Sequence, residues 1–293
     1  MSGARWALMV HGGAKTISDD EREAHRQGCL NALQAGREVL VQGGTAVDAV
    51  VAAIRVLEED PTFNAGHGAV KRTDGSVQLD AAVMDGSTLD IGAVAAVQGV
   101  PHPVEVARRV LDERQVLLVG EDASRFAAEQ GLDTPGGPAE QVAHSPAEDT
   151  VGCVALDLHG HVAAGTSTGG TEGQPPGRVG DSPAAGSGFY ADDLLGAVAA
   201  SGDGEKIVRV GLARQALELL GKQTADQAVG EVLATMSRRV GGEAGLILLT
   251  PAGEIGWDHS SQNFAVAWQA SGQDPQAALE RNPAPHTGDN SDA

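Results

Sequence analysis

The chain has 293 residues, with 20 basic and 40 acidic side chains and a formal net charge of −20. Phosphate binding requires positive charge, so nucleic acids and anionic membrane surfaces are excluded as expected partners. A hydrophobic share of 41% indicates a globular protein, and no apolar run reaches the roughly 18 residues of a membrane span. The two cysteines, Cys29 and Cys153, are too few for a disulfide framework, so we expect a cytoplasmic protein.

In the first half of the chain, apolar runs and capping residues predict short strands and four helices. The strands are expected at Trp6 to Val10, in a hairpin of Ala69 to Lys71 with Ser76 to Leu79, and at Val116 to Val119. The helices are expected at Ser18 to Gln42, Ala46 to Glu59, Val104 to Glu113 and Glu121 to Gln130. Thr45 gives a strong local signal, because its hydroxyl can cap a helix in combination with Asp48.

Residues 131–149 are rich in Pro, Gly and Ala and are predicted to form a flexible linker. Beyond them, strands are expected at Thr150 to Leu158, His161 to Thr168, Leu246 to Thr250, Glu254 to Trp257 and Phe264 to Trp268. Helices are expected at Glu205 to Leu220 and Thr224 to Val240. The polar stretch 271–293 is predicted to be a disordered tail. This order of elements favours an α/β (α+β) sandwich with a central antiparallel sheet.

Thr150 is a candidate nucleophile, because it follows the linker and opens a strand within a segment rich in hydroxyls and glycines. A threonine hydroxyl needs an adjacent base, and no His, Asp or Lys nearby has an obvious base role. An α-amino group, with a reference pKa of about 7.7–8.0, can serve. Cleavage of the Asp149–Thr150 bond would create that amine. On its own, however, Thr150 is more often an ordinary β-branched strand residue.

Arg178 and Asp181 are candidate ligands for an amino acid, because they lie three residues apart in a loop bounded by glycines. A guanidinium can hold a carboxylate with two hydrogen bonds, and a carboxylate pairs with an ammonium group. The plainer alternative is a surface ion pair, which stabilises a fold by about 0–1 kcal/mol.

Several motifs along the chain occur together in one known family. They are HGGA from His11, NAGHGAV from Asn64, LDAAVMDG from Leu79, TVGCVALD from Thr150, TSTGG from Thr166 and GRVGDSP from Gly177. Over roughly residues 5–270 the chain resembles the plant-type L-asparaginase / isoaspartyl peptidase family of N-terminal-nucleophile hydrolases. The resemblance implies a single domain, residues 1–293, folded as an αββα four-layer sandwich. It also implies self-cleavage into an α-chain, 1–149, and a β-chain, 150–293, with two αβ units forming a homodimer.

The resemblance also assigns roles to residues. It makes Thr150 the nucleophile, released by a cut after Asp149, and Thr168 its hydrogen-bond partner. The remaining roles are an oxyanion hole at Ser201 and Gly202, substrate contacts at Arg178, Asp181, Gly170 and Gly202, and positioning of the catalytic water by Asn64. Main-chain carbonyls at Leu57, Glu58, Asp60, Phe63, Ala65 and His67 are expected to hold a structural sodium ion, with no other cofactor.

The expected reaction is hydrolysis of L-asparagine and β-aspartyl dipeptides through an acyl-enzyme, with release of L-aspartate. Two residues depart from the family pattern: Ser201 stands where the family has Thr, and Asp149 where it usually has Gly. Serine lacks the methyl group that fixes the threonine rotamer, so Ser201 is expected to be the looser oxyanion donor. The Asp-Thr junction resembles that of glycosylasparaginases. The alternatives are therefore hydrolysis of N4-glycosyl-asparagine, or a catalytically impaired binding protein with the same fold.

Overall fold

The computed structural model describes residues 5–133 and 150–281, in which strands pair into two sheets and helices cover them. The strands are β1 (Ala7–Lys15), β2 (Leu79–Asp85), β3 (Ile91–Val97), β4 (Leu117–Val119), β5 (Val151–Leu156), β6 (Val162–Thr168), β7 (Phe189–Asp192), β8 (Gly196–Gly202), β9 (Ala244–Leu249), β10 (Ile255–His259), β11 (Asn263–Ala270) and β12 (Gln276–Ala278). The helices are α1 (Arg22–Val41), α2 (Ala46–Glu59), α3 (Pro103–Val110), α4 (Gly120–Glu129), α5 (Gly204–Val210), α6 (Leu212–Leu219) and α7 (Ala225–Val240).

The larger sheet has eight strands in the order β12-β11-β1-β5-β6-β2-β3-β4, and the smaller has four in the order β10-β9-β8-β7. Among the described strands, neighbours pair antiparallel except β3 with β4. The hairpin of β5 and β6 lies in the middle of the larger sheet, with Val151 opposite Ser167. Residue 150 therefore stands at the end of a central strand, where flanking elements can surround it.

Three apolar clusters show the layering. One joins α1, α2, α3 and α4 to the larger sheet, and a second fills the space between the two sheets. The third joins α5, α6 and α7 to the smaller sheet. Since a sheet with two apolar faces must be covered on both, the result is helices, sheet, sheet, helices. The αββα sandwich expected from the resemblance is confirmed.

Local capping signals predicted some helix ends correctly. The Thr45 hydroxyl accepts the main-chain N–H of Asp48 at 3.1 Å, and α2 has the predicted bounds. The capping box of α7 is complete, with Thr224 and Gln227 each accepting the other's main-chain N–H. The first long helix begins at Arg22, after the predicted Ser18, because the Ser18 side chain and main chain bond the Glu21 carboxylate in the preceding turn.

Several predicted elements were wrong. Strand β1 continues through the glycines after Val10, because His11 pairs with both Gly152 and Val266 before a bulge shifts the register. The predicted hairpin around residues 73–75 is only a turn, with β2 beginning at Leu79. The predicted helix 205–220 is two helices, because Gly211 adopts a left-handed φ of 63°.

The predicted disordered tail is wrong over residues 271–281. Strand β12 lies there and pairs with β11, from Val266 opposite Ala278 to Trp268 opposite Gln276. Main-chain pairing to a sheet edge orders this polar segment, although its side chains give no strand pattern. The rest of the predicted tail, 282–293, and residues 134–149 of the predicted linker lie outside the described residues. Of the helices that the structure describes, none has the length and apolar character needed to cross a membrane.

Candidate active site

A cavity beside Thr150, the residue that directly precedes β5, gathers six of the predicted site residues. It is lined by Thr150, Thr168, Gly170, Thr171, Arg178, Gly180, Asp181, Ser182 and Gly202. Six of these were assigned roles from the sequence, although they are spread over about fifty positions. The sandwich brings them together, because β5 begins at this edge and β6 and β8 end at it.

Thr150 is 6% exposed, and both its hydroxyl and its main-chain nitrogen have hydrogen-bond partners. Its Oγ1 lies 2.9 Å from the Ser182 hydroxyl, and its main-chain N–H donates to the Ser201 hydroxyl at 3.1 Å. Sequence reasoning missed Ser182, although it directly follows Asp181 in the GRVGDSP motif. One partner of the candidate nucleophile is therefore a hydroxyl on the loop that also carries Arg178 and Asp181.

The Ser201 hydroxyl is held by two main-chain N–H groups. Ala14 N and Thr150 N each donate to its Oγ at 3.1 Å, and the residue is fully buried. A serine hydroxyl has two acceptor lone pairs and one proton. With both lone pairs occupied, that proton remains to be donated to a further acceptor. The two N–H groups fix the rotamer that a threonine methyl would otherwise restrict, so the expected looseness of Ser201 is offset by its surroundings.

Gly202 follows Ser201 at the end of β8 and lines the cavity. Its φ is 144°, and a Cβ there would lie 2.3 Å from the Glu243 carbonyl oxygen. A side chain is therefore excluded, and the main chain of Gly202 is left open to the cavity.

Asn64 ties the NAGHGAV loop to the turn that follows β6. Its side-chain amide donates to the Gly170 carbonyl at 2.6 Å and accepts from Val70 N at 3.0 Å. In the same turn, Gly170 N donates to the Thr168 hydroxyl at 2.9 Å. Asn64 does not line the cavity itself, so the observed contacts give it a positioning role at Gly170.

Arg178 and Asp181 line the same cavity, but the structure does not pair them as a simple surface bridge. The Arg178 guanidinium makes two 2.8 Å hydrogen bonds to the exposed Glu205 carboxylate. Asp181 is 3% exposed, and its Oδ2 has no hydrogen-bond partner among the described residues. Burial raises the pKa of Asp181 to about 7, and the Arg178 charge opposes that rise. The sequence did not indicate Glu205, which lies 27 residues after Arg178.

Arg72 and Asp80 form a second pair of opposite charges, close enough to Arg178 for its charge to act on Asp80. Arg72 is buried and donates to the Gln78 carbonyl at 2.9 Å. Asp80 is buried, lies opposite Thr168 across β2 and β6, and accepts from Ala96 N at 2.7 Å. Burial raises the pKa of Asp80 to about 6, and the Arg72 charge opposes the rise. Neither residue was singled out from the sequence.

The side chain of His11 lies beside the Thr150 main chain. It is fully buried, and burial lowers its pKa to about 3, with the Thr150 main chain opposing the shift. The imidazole is therefore neutral at pH 7. The hydroxyl of Thr150 lies against Ser182 and not against this imidazole.

The predicted sodium loop lies between α2 and a 3-10 turn at Gly66–Gly68. The main-chain oxygens of Asp60, Phe63 and Ala65 each accept one main-chain N–H at 2.9–3.2 Å, and a carbonyl has a second lone pair. A Cβ on Gly66 would lie 2.5 Å from the Glu58 carbonyl oxygen, so this oxygen faces the turn. The tightly folded carbonyls fit a hard cation that prefers oxygen ligands. Among the described residues, no cluster of His, Cys, Asp and Glu side chains forms a metal site.

The Glu58 side chain has a separate role that the sequence did not indicate. It is buried, and its Oε1 accepts from the Ser167 hydroxyl at 2.6 Å and from Val104 N at 3.0 Å. Burial raises the pKa of this carboxyl, while His102 and Ser167 oppose the rise. Glu58 thus links α2 and α3 to the residue that precedes Thr168.

Comparison with known proteins agrees with the motifs. A family model described as Asparaginase matches residues 4–138 and 133–279. An isoaspartyl peptidase/L-asparaginase from Bos taurus is 42% identical over 284 residues, covering 89% of this chain and 92% of the relative. The protein of that name from Homo sapiens is 40% identical, with the same coverage. A plant-type L-asparaginase from Pyrobaculum calidifontis is 39% identical over 293 residues, covering 91% of this chain and 97% of the relative.

The αββα layers and the hydroxyl cluster at the start of β5 define a hydrolase with the fold of the N-terminal-nucleophile enzymes. With family matches across nearly all of its length, the chain belongs to the asparaginase family.

Proposed function

We propose that this protein hydrolyses the side-chain amide of L-asparagine and the isoaspartyl bond of β-aspartyl dipeptides, releasing L-aspartate. One observation carries the proposal. Thr150, Arg178, Asp181 and Gly202 line a single cavity in a member of the asparaginase family. The relatives named isoaspartyl peptidase/L-asparaginase support both substrates.

Recognition uses the two charged residues. Arg178 offers a guanidinium to the α-carboxylate of the substrate, sharing it with Glu205. Asp181 offers a buried carboxylate oxygen without a hydrogen-bond partner among the described residues, which suits an α-ammonium group. Together they orient an aspartyl group with its side chain towards Thr150.

The chemistry proceeds in two steps. Thr150 Oγ1 attacks the side-chain carbonyl carbon while its proton passes to the Thr150 amine. The oxyanion accepts hydrogen bonds from the Ser201 hydroxyl and the Gly202 N–H. As the C–N bond breaks, the proton moves from the amine to the leaving nitrogen, and a β-aspartyl ester remains on Thr150. Water then attacks this ester while the amine takes a proton from it. The bond between the carbonyl carbon and Thr150 Oγ1 breaks, the amine returns the proton to Oγ1, and L-aspartate leaves.

The amine exists only after the Asp149–Thr150 bond is cut, so we infer that the protein processes itself at that bond into chains 1–149 and 150–293. Asp149 and the residues before it, back to 134, lie outside the described residues. In the described part, the Thr150 hydroxyl and main-chain nitrogen already contact Ser182 and Ser201. A buried, positioned hydroxyl of this kind is what an attack on the preceding carbonyl requires.

Three further assignments belong to the same proposal. A sodium ion on the carbonyls of the residue 57–67 loop would hold in place the segment from which Asn64 reaches Gly170. The working form is a homodimer of αβ units. The protein acts in the cytoplasm, which agrees with two buried, unpaired cysteines.

The test combines intact mass spectrometry with product analysis. The protein is incubated and its mass measured, and aspartate release is followed from asparagine, β-aspartyl-leucine and a glycosylated asparagine. We expect two fragments of 149 and 144 residues, from 293 − 149, and aspartate from the first two substrates. Aspartate from the glycosylated substrate alone would support the glycosylasparaginase alternative. An uncut, inactive chain after long incubation would support the binding-protein alternative.

A further inference from the structure

Gly202 borders two cavities. One holds Thr150, and the other is a groove of about 560 Å³ whose wall includes Ala14, Asp203, Lys206, Ser237 and Ser260. Its volume lies in the range of about 300–1,000 Å³ that small-molecule sites occupy, and its surface is mainly polar. Nothing in the reaction on asparagine, whose leaving group is ammonia, uses this space.

Lys206 is fixed on the wall of the groove. Its Nζ donates to Asp203 Oδ2 at 3.0 Å, and Glu243 N donates to the same oxygen at 3.0 Å. Gly242, with a φ of 91°, lies against this pair, and a Cβ there would be 2.4 Å from Lys206 Cδ. The Lys206 side chain is thus held between Asp203 and the main chain of Gly242. An ammonium group has three donors, so two remain available to a ligand.

The reaction geometry brings the leaving group to this groove. Three groups are attached to the scissile carbonyl carbon: the oxygen, the aspartyl methylene and the leaving nitrogen. In the proposed reaction the oxygen is bound by Ser201 and Gly202, and the aspartyl part by Arg178 and Asp181. Gly202, Arg178 and Asp181 line the Thr150 cavity. The leaving nitrogen is attached to the same carbon as that oxygen, so the leaving group starts close to Gly202, where the groove begins.

We propose that the groove is the leaving-group subsite for β-aspartyl dipeptides, and that the Lys206 ammonium binds the α-carboxylate of the amino acid that is released. This inference rests on the proposed function and adds the residue that distinguishes its two substrates. Asp203 and the exposed Glu243 also face the groove, so a leaving residue with an acidic side chain is disfavoured. Neutral side chains fit beside the hydroxyls of Ser237 and Ser260.

The test is a comparison of three substrates with Lys206→Met: β-aspartyl-leucine, β-aspartyl-leucinamide and asparagine. The leucinamide lacks the carboxylate that Lys206 is proposed to bind. For the variant, the ratio of kcat/KM on β-aspartyl-leucine to kcat/KM on asparagine should fall about tenfold, as expected for one charge-assisted hydrogen bond. The loss should appear mainly in KM for β-aspartyl-leucine. The ratio of kcat/KM on the leucinamide to kcat/KM on asparagine should stay within about twofold of the wild-type ratio.

Two further variants complete the design. Lys206→Arg keeps a positive charge on the groove and should retain most of the preference for the leucine dipeptide. Lys222→Met removes one charge at an exposed position outside the groove, and it should leave all three substrates unaffected.

The outcomes separate the subsite from the proposed function. Equal losses on all three substrates, or no loss on any, would overturn the leaving-group subsite while asparagine hydrolysis stands. If the leucinamide ratio falls as far as the leucine ratio, carboxylate binding by Lys206 is likewise wrong. A wild-type protein inactive on both asparagine and the dipeptide would overturn the proposed function, and the subsite with it.

Discussion

The two sides of the Thr150 cavity are built from different chemistry. The hydroxyl side consists of Thr150 and Ser182, which line the cavity, and of the fully buried Ser201, which Thr150 N contacts. These residues are uncharged and bonded at 2.9–3.1 Å to one another or to main-chain groups. The charged side consists of Arg178 and Asp181, which line the cavity, and of Glu205, whose carboxylate binds Arg178. There Arg178 makes two 2.8 Å hydrogen bonds from its five N–H donors, while a buried oxygen of Asp181 has no partner among the described residues.

The difference indicates that the charged side binds the substrate and the hydroxyl side performs the chemical step. A buried polar atom without a partner costs about 1–3 kcal/mol, so the charged side is strained until a ligand supplies the missing ammonium group. The hydroxyl side is already held in place by its own hydrogen bonds, with the Ser201 proton left to donate, and is preorganised for bond making. Changes to the hydroxyl side should therefore reduce kcat, and changes to the charged side should mainly raise KM.

The largest effect is expected from removing the nucleophile. Thr150→Ala leaves no hydroxyl to attack, so aspartate release from asparagine should fall by at least about 10⁴-fold, and processing at residue 149 should stop. Thr150→Ser is the matched control, because it keeps the hydroxyl and loses only a methyl group. Aspartate measured by chromatography checks both variants. Substantial activity in the alanine variant would show that the hydroxyl side does not perform the chemistry.

The next largest effect is expected at the oxyanion donor. Ser201→Ala removes the hydroxyl donor and leaves two N–H groups, from Ala14 and Thr150, without their acceptor. We expect kcat to fall by about 10²–10³-fold with a smaller change in KM. Ser201→Thr restores the family's residue and should keep kcat within a few-fold of wild type. Steady-state kinetics on processed protein checks this, and a loss confined to KM would contradict the assignment.

The hydroxyl side was predicted in part. Thr150 was a candidate from its position between the linker and a strand, the role of Ser201 came from the family resemblance, and Ser182 was missed. The order of elements indicated an α/β sandwich, and the resemblance specified its four layers. Local patterns also gave the bounds of α2, since its cap lies within three residues of its own start. These signals need no knowledge of distant partners.

The charged side was predictable only in part. Glu205 is an exposed acid on a helix, and nothing local shows that its partner is Arg178, 27 residues earlier. The burial of Asp80 depends on strand β6, which lies opposite it at Thr168. Strands β7 and β8 were missed because their small residues and glycines resemble loops, although pairing and burial make them strands. Long-range contacts of this kind have no local signature.

On the charged side, Asp181→Asn is the most direct test of whether this side binds the substrate. The amide has the same shape but lacks the charge that should pair with the substrate ammonium group. We expect kcat/KM on asparagine to fall by about 10–10²-fold, mainly through KM. Asp203→Asn, outside the Thr150 cavity, is the charge-matched control and should change KM for asparagine much less. An unchanged KM in the first variant would remove Asp181 from substrate recognition.

A smaller effect is expected at Ser182, whose hydroxyl contacts Thr150 Oγ1 at 2.9 Å. Ser182→Ala removes one neutral hydrogen bond from the nucleophile, so kcat should fall by about fivefold. Ser182→Thr keeps the hydroxyl and is the matched control. Kinetics on asparagine checks both. A change in KM alone would place Ser182 with the charged side.

The mildest test is the pH dependence of KM. Burial raises the pKa of Asp181 to about 7, so the carboxylate is protonated below that pH and loses its attraction for an ammonium group. Between pH 8 and 6.5 the ionised fraction falls by about fourfold, and KM for asparagine should rise by the same factor. The Thr150 amine, with a reference pKa of about 8, also protonates in this range, but as the base its effect falls on kcat. A pH-dependent KM in wild type that becomes flat in Asp181→Asn would therefore assign the titration to the charged side, whereas a flat wild-type KM would contradict it.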